Sequence, residues 1–232
     1  MYRHLMERAK MITLECGYQF IYIDKLDGGG SDQRFDFLNV IKKYGRANYD
    51  HAYEWCAGFG MIGFELLGHG LCNNIHFSDL YYPAIVNCND NAKLNNISDK
   101  VTTYLSYRVQ DIHTAHKWDL VVGNPPHHFD EQGFTEFILQ LGQVTRLDQL
   151  ENPEQEYRIT CDDDMRIHKE FFRNIGSKLN DNADLFISSV YQTPENCPII
   201  DLATSNNLKY IDYYDTTLGN SNNMYIFHFK AN

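Results

Sequence analysis

The spacing of apolar residues along this chain switches repeatedly between the period of a strand and that of a helix. His51 to Cys56 is a short buried run that reads as a strand, and Met61 to Leu67 carries apolar residues at helical spacing (Met61, Ile62, Phe64, Leu66, Leu67). Next come a second apolar run over Ile75 to Ser78, a helix over Tyr82 to Leu94, and a strand rich in β-branched and aromatic residues over Val101 to Tyr107. Trp118 to Gly123 is a further apolar strand, halted at Asn124-Pro125-Pro126. Strands and helices in alternation predict a parallel sheet with helices on both faces.

The flanking segments are less regular. Tyr2 to Leu14 predicts a helix, Tyr18 to Ile23 a short strand, Gly28-Gly-Gly-Ser-Asp32 a plain turn, and the stretch from about Phe35 to Tyr44 a helix. Beyond the prolines, Phe134 to Leu150 predicts a helix, and Glu151 to Asp164 is polar and acidic with Pro153 breaking it. Asp162-Asp-Asp164 then forms an N-cap for an amphipathic helix over Met165 to Leu179. Ala183 to Val190 is a strand, Cys197 to Ser205 a short helix, and Tyr210 to Thr216 and Met224 to Lys230 two strands joined through Leu218 to Asn223 as an antiparallel pair. Residues 1–48 therefore read as a helical and extended segment packed on one α/β domain at 49–232, which carries a substrate-side insertion at about 130–164.

Candidate chemistry gathers at two points. At the first, Glu54-Trp-Cys56-Ala57-Gly58-Phe-Gly60, the glycines let the backbone turn sharply and leave main chain open to a ligand at a helix N-terminus. Glu54 suits an ammonium group or ribose hydroxyls better than phosphates, although Gly58-Phe-Gly60-Met-Ile-Gly63 also satisfies the dinucleotide pattern G-x-G-x-x-G. Asp79 stands where nucleotide-binding α/β units place an acid on the ribose. At the second point, Asn124-Pro125-Pro126-His127, the Asn124 amide and the Pro125 carbonyl present acceptors to an –NH2 group at a strand's carboxyl end. Such a pair acts by positioning and needs no nucleophilic side chain.

With both points in this order, the chain resembles class I S-adenosylmethionine-dependent methyltransferases of the amino-methylating, HemK-like or small-domain branch, whose signature is Asn-Pro-Pro followed by an aromatic. The resemblance covers about Tyr49 to Lys230. It implies a Rossmann-like fold with a doubly wound, seven-stranded, mostly parallel sheet and a C-terminal antiparallel hairpin. It implies S-adenosylmethionine as cofactor, with Glu54 near the methionine amino group, Cys56, Ala57, Gly58 and Gly60 in the turn beneath it, Asp79 and Leu80 at the ribose, and Asp111 and Ile112 at the adenine. Asn124, Pro125, Pro126 and His127 match the substrate clamp. Two positions depart from the family pattern: Cys56 replaces the first glycine of the turn, a replacement expected to cost little because Cys is small, and His127 replaces the aromatic. His127, His128 and Phe129 are the candidates for stacking on the substrate.

The implied reaction is N-methylation of an amide or exocyclic amino nitrogen in a protein glutamine, a nucleobase or a small molecule. Two alternatives stand beside it. A nicotinamide-dependent oxidoreductase would use Gly58 to Gly63 and leave Asn124 to His127 unexplained, and a non-catalytic cofactor-binding protein would rest on the two departures.

The remaining features narrow the setting. Twenty Lys and Arg stand against 31 Asp and Glu, a net charge of −11, and no cluster of cations is visible along the sequence, which makes extended duplex DNA a less expected partner. No apolar run has membrane-spanning length, so the expectation is a cytoplasmic protein with no membrane contact. The six cysteines form no C-x-x-C pair, and neither His113 with His116 nor His127 with His128 comes with a third ligand, so no metal is expected.

Overall fold

The structure, a computed structural model, describes residues 7, 9–23, 26, 30–127, 161–217 and 223–232. Its centre is a seven-stranded sheet built from β3 (Tyr49–Trp55), β4 (Cys72–Asp79), β5 (Val101–Leu105), β6 (Trp118–Gly123), β7 (Leu179–Val190), β8 (Leu208–Asp215) and β9 (Met224–Ala231). The order is β5-β4-β3-β6-β7-β9-β8, parallel except that β9 runs antiparallel to both neighbours. The expected mostly parallel sheet with a closing antiparallel pair is therefore present; its turn lies partly at 218–222, outside the described residues. From β3 the chain winds outward through β4 and β5, then returns to β6 on the other side of β3. The gap between β3 and β6 is thus the topological switch point, where open α/β sheets bind ligands.

Helices α1 (Gly30–Tyr44), α2 (Met61–Gly68), α3 (Tyr82–Leu94), α4 (Arg166–Ile175) and α5 (Pro198–Ser205) cover the sheet. One apolar layer contains Phe37, Ile41, Phe64, Phe77 and Leu120, and the other contains Tyr53, Trp55, Trp118, Val121, Phe171, Phe172 and Phe229. In the second layer Tyr53 stacks on Trp118 at 3.9 Å and Trp55 on Phe171 at 3.9 Å, so large flat rings fill the space above neighbouring strands.

Before the sheet, β1 (Lys10–Thr13) pairs antiparallel with β2 (Gln19–Tyr22). The helix expected over Tyr2 to Leu14 is corrected for its last residues: Lys10 to Thr13 are a strand because pairing with β2 outweighs a local helical spacing. The hairpin is tied to α3, where Asn91 Oδ1 accepts the Ile21 N–H at 2.7 Å and Asn95 Oδ1 accepts the Gln19 N–H at 2.9 Å. Helix α1 begins at Gly30, inside the stretch expected to be a plain turn, with Asp32 in its first turn complementing the helix dipole. The N-cap expected within Asp162 to Asp164 is displaced: Met165 takes the N-cap position at the end of a short turn over Asp163–Met165, and the Asp162 carboxylate caps from outside it, accepting the Ile167 and His168 N–H groups at 2.7 and 3.0 Å. The helix that follows is shorter than expected: α4 ends at Ile175, and Leu179 already starts β7. The helix expected over Phe134 to Leu150 lies outside the described residues.

Candidate active site

Strand register brings the candidate residues to one edge. Trp55 on β3 pairs with Ser78 on β4 and with Gly123 on β6, so Glu54, Asp79 and Asn124 stand at the carboxyl ends of three adjacent strands. After β3 the backbone enters the left-handed region at Cys56 (φ 53°), Gly58 (φ 53°) and Gly60 (φ 79°). The turn is fastened to β4 by the Ala57 N–H on the Ser78 carbonyl at 3.0 Å and the Gly58 N–H on Asp79 Oδ2 at 2.9 Å. The other Asp79 oxygen accepts the Tyr81 N–H at 2.8 Å, and the Leu80 N–H also faces the carboxylate, so part of its acceptor capacity remains for a further donor. Burial raises the Asp79 pKa.

At the glycines of this turn and the helix after it, the absence of a side chain is required by space. A Cβ on Gly60 would lie 2.8 Å from Phe77 Cε1, and one on Gly63 would lie 2.6 Å from Glu54 Oε2. On Gly58 it would come within 3.0 Å of the Leu26 carbonyl oxygen, so main chain from the N-terminal segment passes directly over the turn. Cys56 departs from this economy. Its size is tolerated, but φ 53° places a side chain in the left-handed region, where a non-glycine residue costs about 1–2 kcal/mol.

Glu54 is sealed beneath α2, where its Oε2 accepts the Gly63 N–H at 2.6 Å. Loss of water is the largest influence on its carboxyl and pushes the pKa up to about 8, with nearby Asp79 adding to the rise and the Gly63 bond opposing it. The group is therefore an acid that an incoming cation would ionise.

At the second point three donors converge on one oxygen. Asn124 Oδ1 lies 2.8 Å from His127 Nε2, 2.9 Å from the Ser188 hydroxyl on β7 and 3.1 Å from Gln33 Nε2 on α1. An amide oxygen only accepts, so His127 Nε2 carries the proton in this contact and Nδ1 is the basic nitrogen. Gln33 is 1% exposed, and its own Oε1 is buried with no hydrogen-bond partner among the described residues. Gly123, just before Asn124, leaves room for the Trp55 ring, which a Cβ would meet at 3.1 Å.

Glu54, Cys56, Ala57, Gly58, Gly60 and Asp79 thus form one group, and Asn124, Pro125, Pro126 and His127 a second beside it, with both prolines buried. Leu80 follows Asp79 and is 46% exposed. Asp111 is exposed on the short turn Val109–Asp111 and ion-paired with Arg108 at 3.5 Å, while Ile112 is buried. Gln33 and Ser188 were missed in the sequence because their link to Asn124 spans 91 and 64 residues and leaves no local pattern. Among the described residues no group of three or more His, Cys, Asp or Glu could hold a metal ion, and all six cysteines are free. No helix among the described residues is long and apolar enough to cross a membrane.

Comparison with known proteins gives this geometry a context. Residues 37–146, 110 of the chain's 232, match the model of the family described as Methyltransferase small domain. The N-methyltransferase NodS from Bradyrhizobium japonicum WM9 is similar in structure (TM-score 0.55, 12% identity), the match covering 87% of this chain and 95% of that one. TrmN from Thermus thermophilus is similar at TM-score 0.58 and 12% identity over 93% of this chain and 56% of its own. SMU.776 in complex with SAH is similar at TM-score 0.61 and 12% identity over 97% and 56%. At these identities the likeness is one of fold, and this chain spans little more than half of the last two. No curated protein matches the chain by sequence.

Proposed function

We infer that this protein, a methyltransferase carrying a Methyltransferase small domain and using S-adenosylmethionine as its cofactor, transfers the methyl group to an amide or exocyclic amino nitrogen. With the cofactor so identified, the nicotinamide reading of Gly58 to Gly63 is set aside.

The residues at the switch point fit that cofactor. Glycines hold open a turn that a Cβ on Gly58 would press against the Leu26 carbonyl, Asp79 retains acceptor capacity, and Glu54 is a buried carboxyl awaiting a counter-charge. Glu54 would hold the methionine amino group, the turn from Cys56 through Ala57 and Gly58 to Gly60 would underlie the chain of the cofactor, and Asp79 with Leu80 would take the ribose. Asp111 and Ile112 would face the adenine. The bound cofactor supplies a methyl group already activated on sulfur, so the protein's own task is alignment, exclusion of water and removal of one proton.

The observation that carries the choice of nitrogen is the triple occupation of Asn124 Oδ1. A carbonyl oxygen has two lone pairs, so three donors already exceed its capacity, and a substrate –NH2 would take the place of at least one. Gln33 is the donor that comes from outside the strand-end cluster. Asn124 Oδ1 and the Pro125 carbonyl would accept the two N–H bonds and turn the nitrogen lone pair toward the methyl group. His127, through Nδ1, or solvent would take the proton released after transfer. The acceptor is sought among protein glutamine, nucleobases and small amines.

The test is Asn124→Ala. Calorimetry should show unaltered S-adenosylmethionine binding, while methyl transfer falls about 100-fold or more, the scale of losing one positioned hydrogen-bonding group in an active site. Wild-type turnover in that variant would remove Asn124 from the clamp.

A further inference from the structure

The structure gathers cations that the sequence disperses. On α4, Arg166, Lys169 and Arg173 stand at i, i+3 and i+7, which puts them on one face over about 10 Å of helix. All three are exposed. The opposite face buries His168, Phe171, Phe172 and Ile175, so the row points outward by necessity. Against this helix packs the loop between β5 and β6: Gln110 Nε2 donates to Glu170 Oε2 at 3.0 Å, Lys178 Nζ donates to the Ile112 carbonyl at 2.6 Å, and the Arg166 guanidinium lies 5.7 Å from the Tyr107 ring centroid. Lys117 stands on the same side, lining one cavity with Arg173.

Residues 106–117 and 166–178 together hold six Lys and Arg but two acids, a net charge of +4 that leaves −15 on the rest of the chain. Both acids are occupied, Asp111 by Arg108 at 3.5 Å and Glu170 by the amides of Gln110 and Asn174 at 3.0 and 3.3 Å. Lys117, Lys169 and Arg173 have no carboxylate partner among the described residues, in a protein with 31 to offer. A second observation marks the lower end of the row, where a cavity of about 430 Å³ is lined by Lys117, Arg173, Asn180, Asn206 and Asn207, with Asp181. The upper end meets the active site: His168, in the first turn of α4, lies edge-on to Trp55 at 5.4 Å, and Trp55 pairs with Gly123 beside Asn124. Exposed Tyr107 stands two residues beyond Leu105, the register partner of Asp79.

We propose that the outer face of α4 and the adjoining β5–β6 loop form a track for the phosphate backbone of a single-stranded polynucleotide, running from the active-site edge to the cavity beside Lys117. Unpaired cations in a row answer to a linear polyanion, and an exposed ring at its head offers a stacking surface for a base. A duplex would need a broader basic face than this one helix provides. The track is independent of the methylation reading and would bind a strand that offers no amino group.

The probe is therefore a fluorescein-labelled 20-nucleotide oligouridylate, since uracil carries no exocyclic amine, followed by anisotropy between about 50 and 200 mM salt. The wild-type chain should bind with micromolar Kd at the low end, with a log K against log salt slope near about −3, as four single-strand phosphate contacts require. The triple variant R166E/K169E/R173E should bind at least tenfold more weakly and lose about 2 from the slope, while K42E/K43E on the exposed side of α1 leaves both unchanged. Single variants K169E and R173E, each expected to weaken binding severalfold, carry the test if the triple variant does not melt cooperatively. No binding at 50 mM salt, equal loss in K42E/K43E, or tighter binding to phosphatidylserine vesicles than to the oligonucleotide overturns the proposal. If Asn124→Ala abolishes methylation yet keeps oligouridylate binding, the two readings are separated.

Discussion

Glu54→Gln should make the cofactor-free protein more stable while making it a poorer cofactor binder. The wild-type carboxyl is buried under α2 with its pKa raised to about 8, against 4.5 for the ordinary group. Between those values the folded protein holds a proton that the unfolded chain has released, so this group's contribution to stability falls as pH rises from about 4.5 to about 8. At pH 7 the solution stands about 2.5 above the unfolded value, and at about 1.4 kcal/mol for each the penalty is about 3 kcal/mol. Glutamine preserves the oxygen that accepts the Gly63 N–H and carries no charge, but its two amide hydrogens need partners and return part of the gain. The expected net gain at pH 7 is about 1–3 kcal/mol, shrinking to nothing near pH 4.5. Urea unfolding of both proteins at pH 4.5, 6, 7 and 8 without cofactor measures it. Calorimetry at pH 7 should then show S-adenosylmethionine bound at least tenfold more weakly, because the ammonium loses its counter-charge. A variant no more stable than wild type at pH 7 would refute the reading of Glu54 as a buried acid, and unaltered affinity would remove it from the cofactor site.

Other consequences are smaller in scope. Ser188→Ala and Gln33→Leu each remove one donor from Asn124 Oδ1 and should change methyl transfer severalfold while leaving S-adenosylmethionine affinity within twofold; a parallel loss of cofactor binding would show that they act on the fold instead. Cys56→Gly relieves the φ of 53° and should stabilise the protein by up to about 1 kcal/mol, read as a rise in urea midpoint without a change in m. His76 behaves oppositely to Glu54. Burial and the neighbouring His51 and His116 lower its pKa to about 4, so the unfolded chain binds the extra proton between about 4 and 6.5. The stability it contributes is complete above about 6.5 and is lost as pH falls through that window; the wild-type minus His76→Asn difference across the range isolates it, and a flat difference counts against it.

How much of this was readable from the residues depended on how local the cause was. Tyr82–Leu94 and Trp118–Gly123 fall where the apolar spacing put them because each buries a continuous set of its own residues. The glycine turn and Asn124 were legible because glycine frees the backbone for a sharp turn and proline fixes it, wherever either occurs. Lys10 to Thr13 misled because a strand of four residues is made by its partner, here Gln19–Tyr22. Gln33 sits in a stretch whose glycines suggest a turn, and its part in the site exists only through contact with a residue 91 positions away. Cys56 was weighed by size when the deciding quantity was its φ. The basic row was invisible for a related reason: Arg108 and Lys117 are separated from α4 by about 50 residues, and Glu170 interrupts the run.

The placement of β9 bears on how the chain assembles as it is made. β8 leaves the ribosome first, yet its hydrogen-bonding neighbour in the sheet is β9, which lies between it and β7. Until Met224–Ala231 emerges, β7 presents an open inner edge and β8 has no strand to pair with. The buried contact of His228 Nε2 with Asp184 Oδ1 at 2.9 Å closes only when that wedge is driven home. A nascent chain from which β9 has not yet emerged is therefore a domain whose switch point is assembled but whose sheet is still divided, exposed to pairing with a second nascent chain.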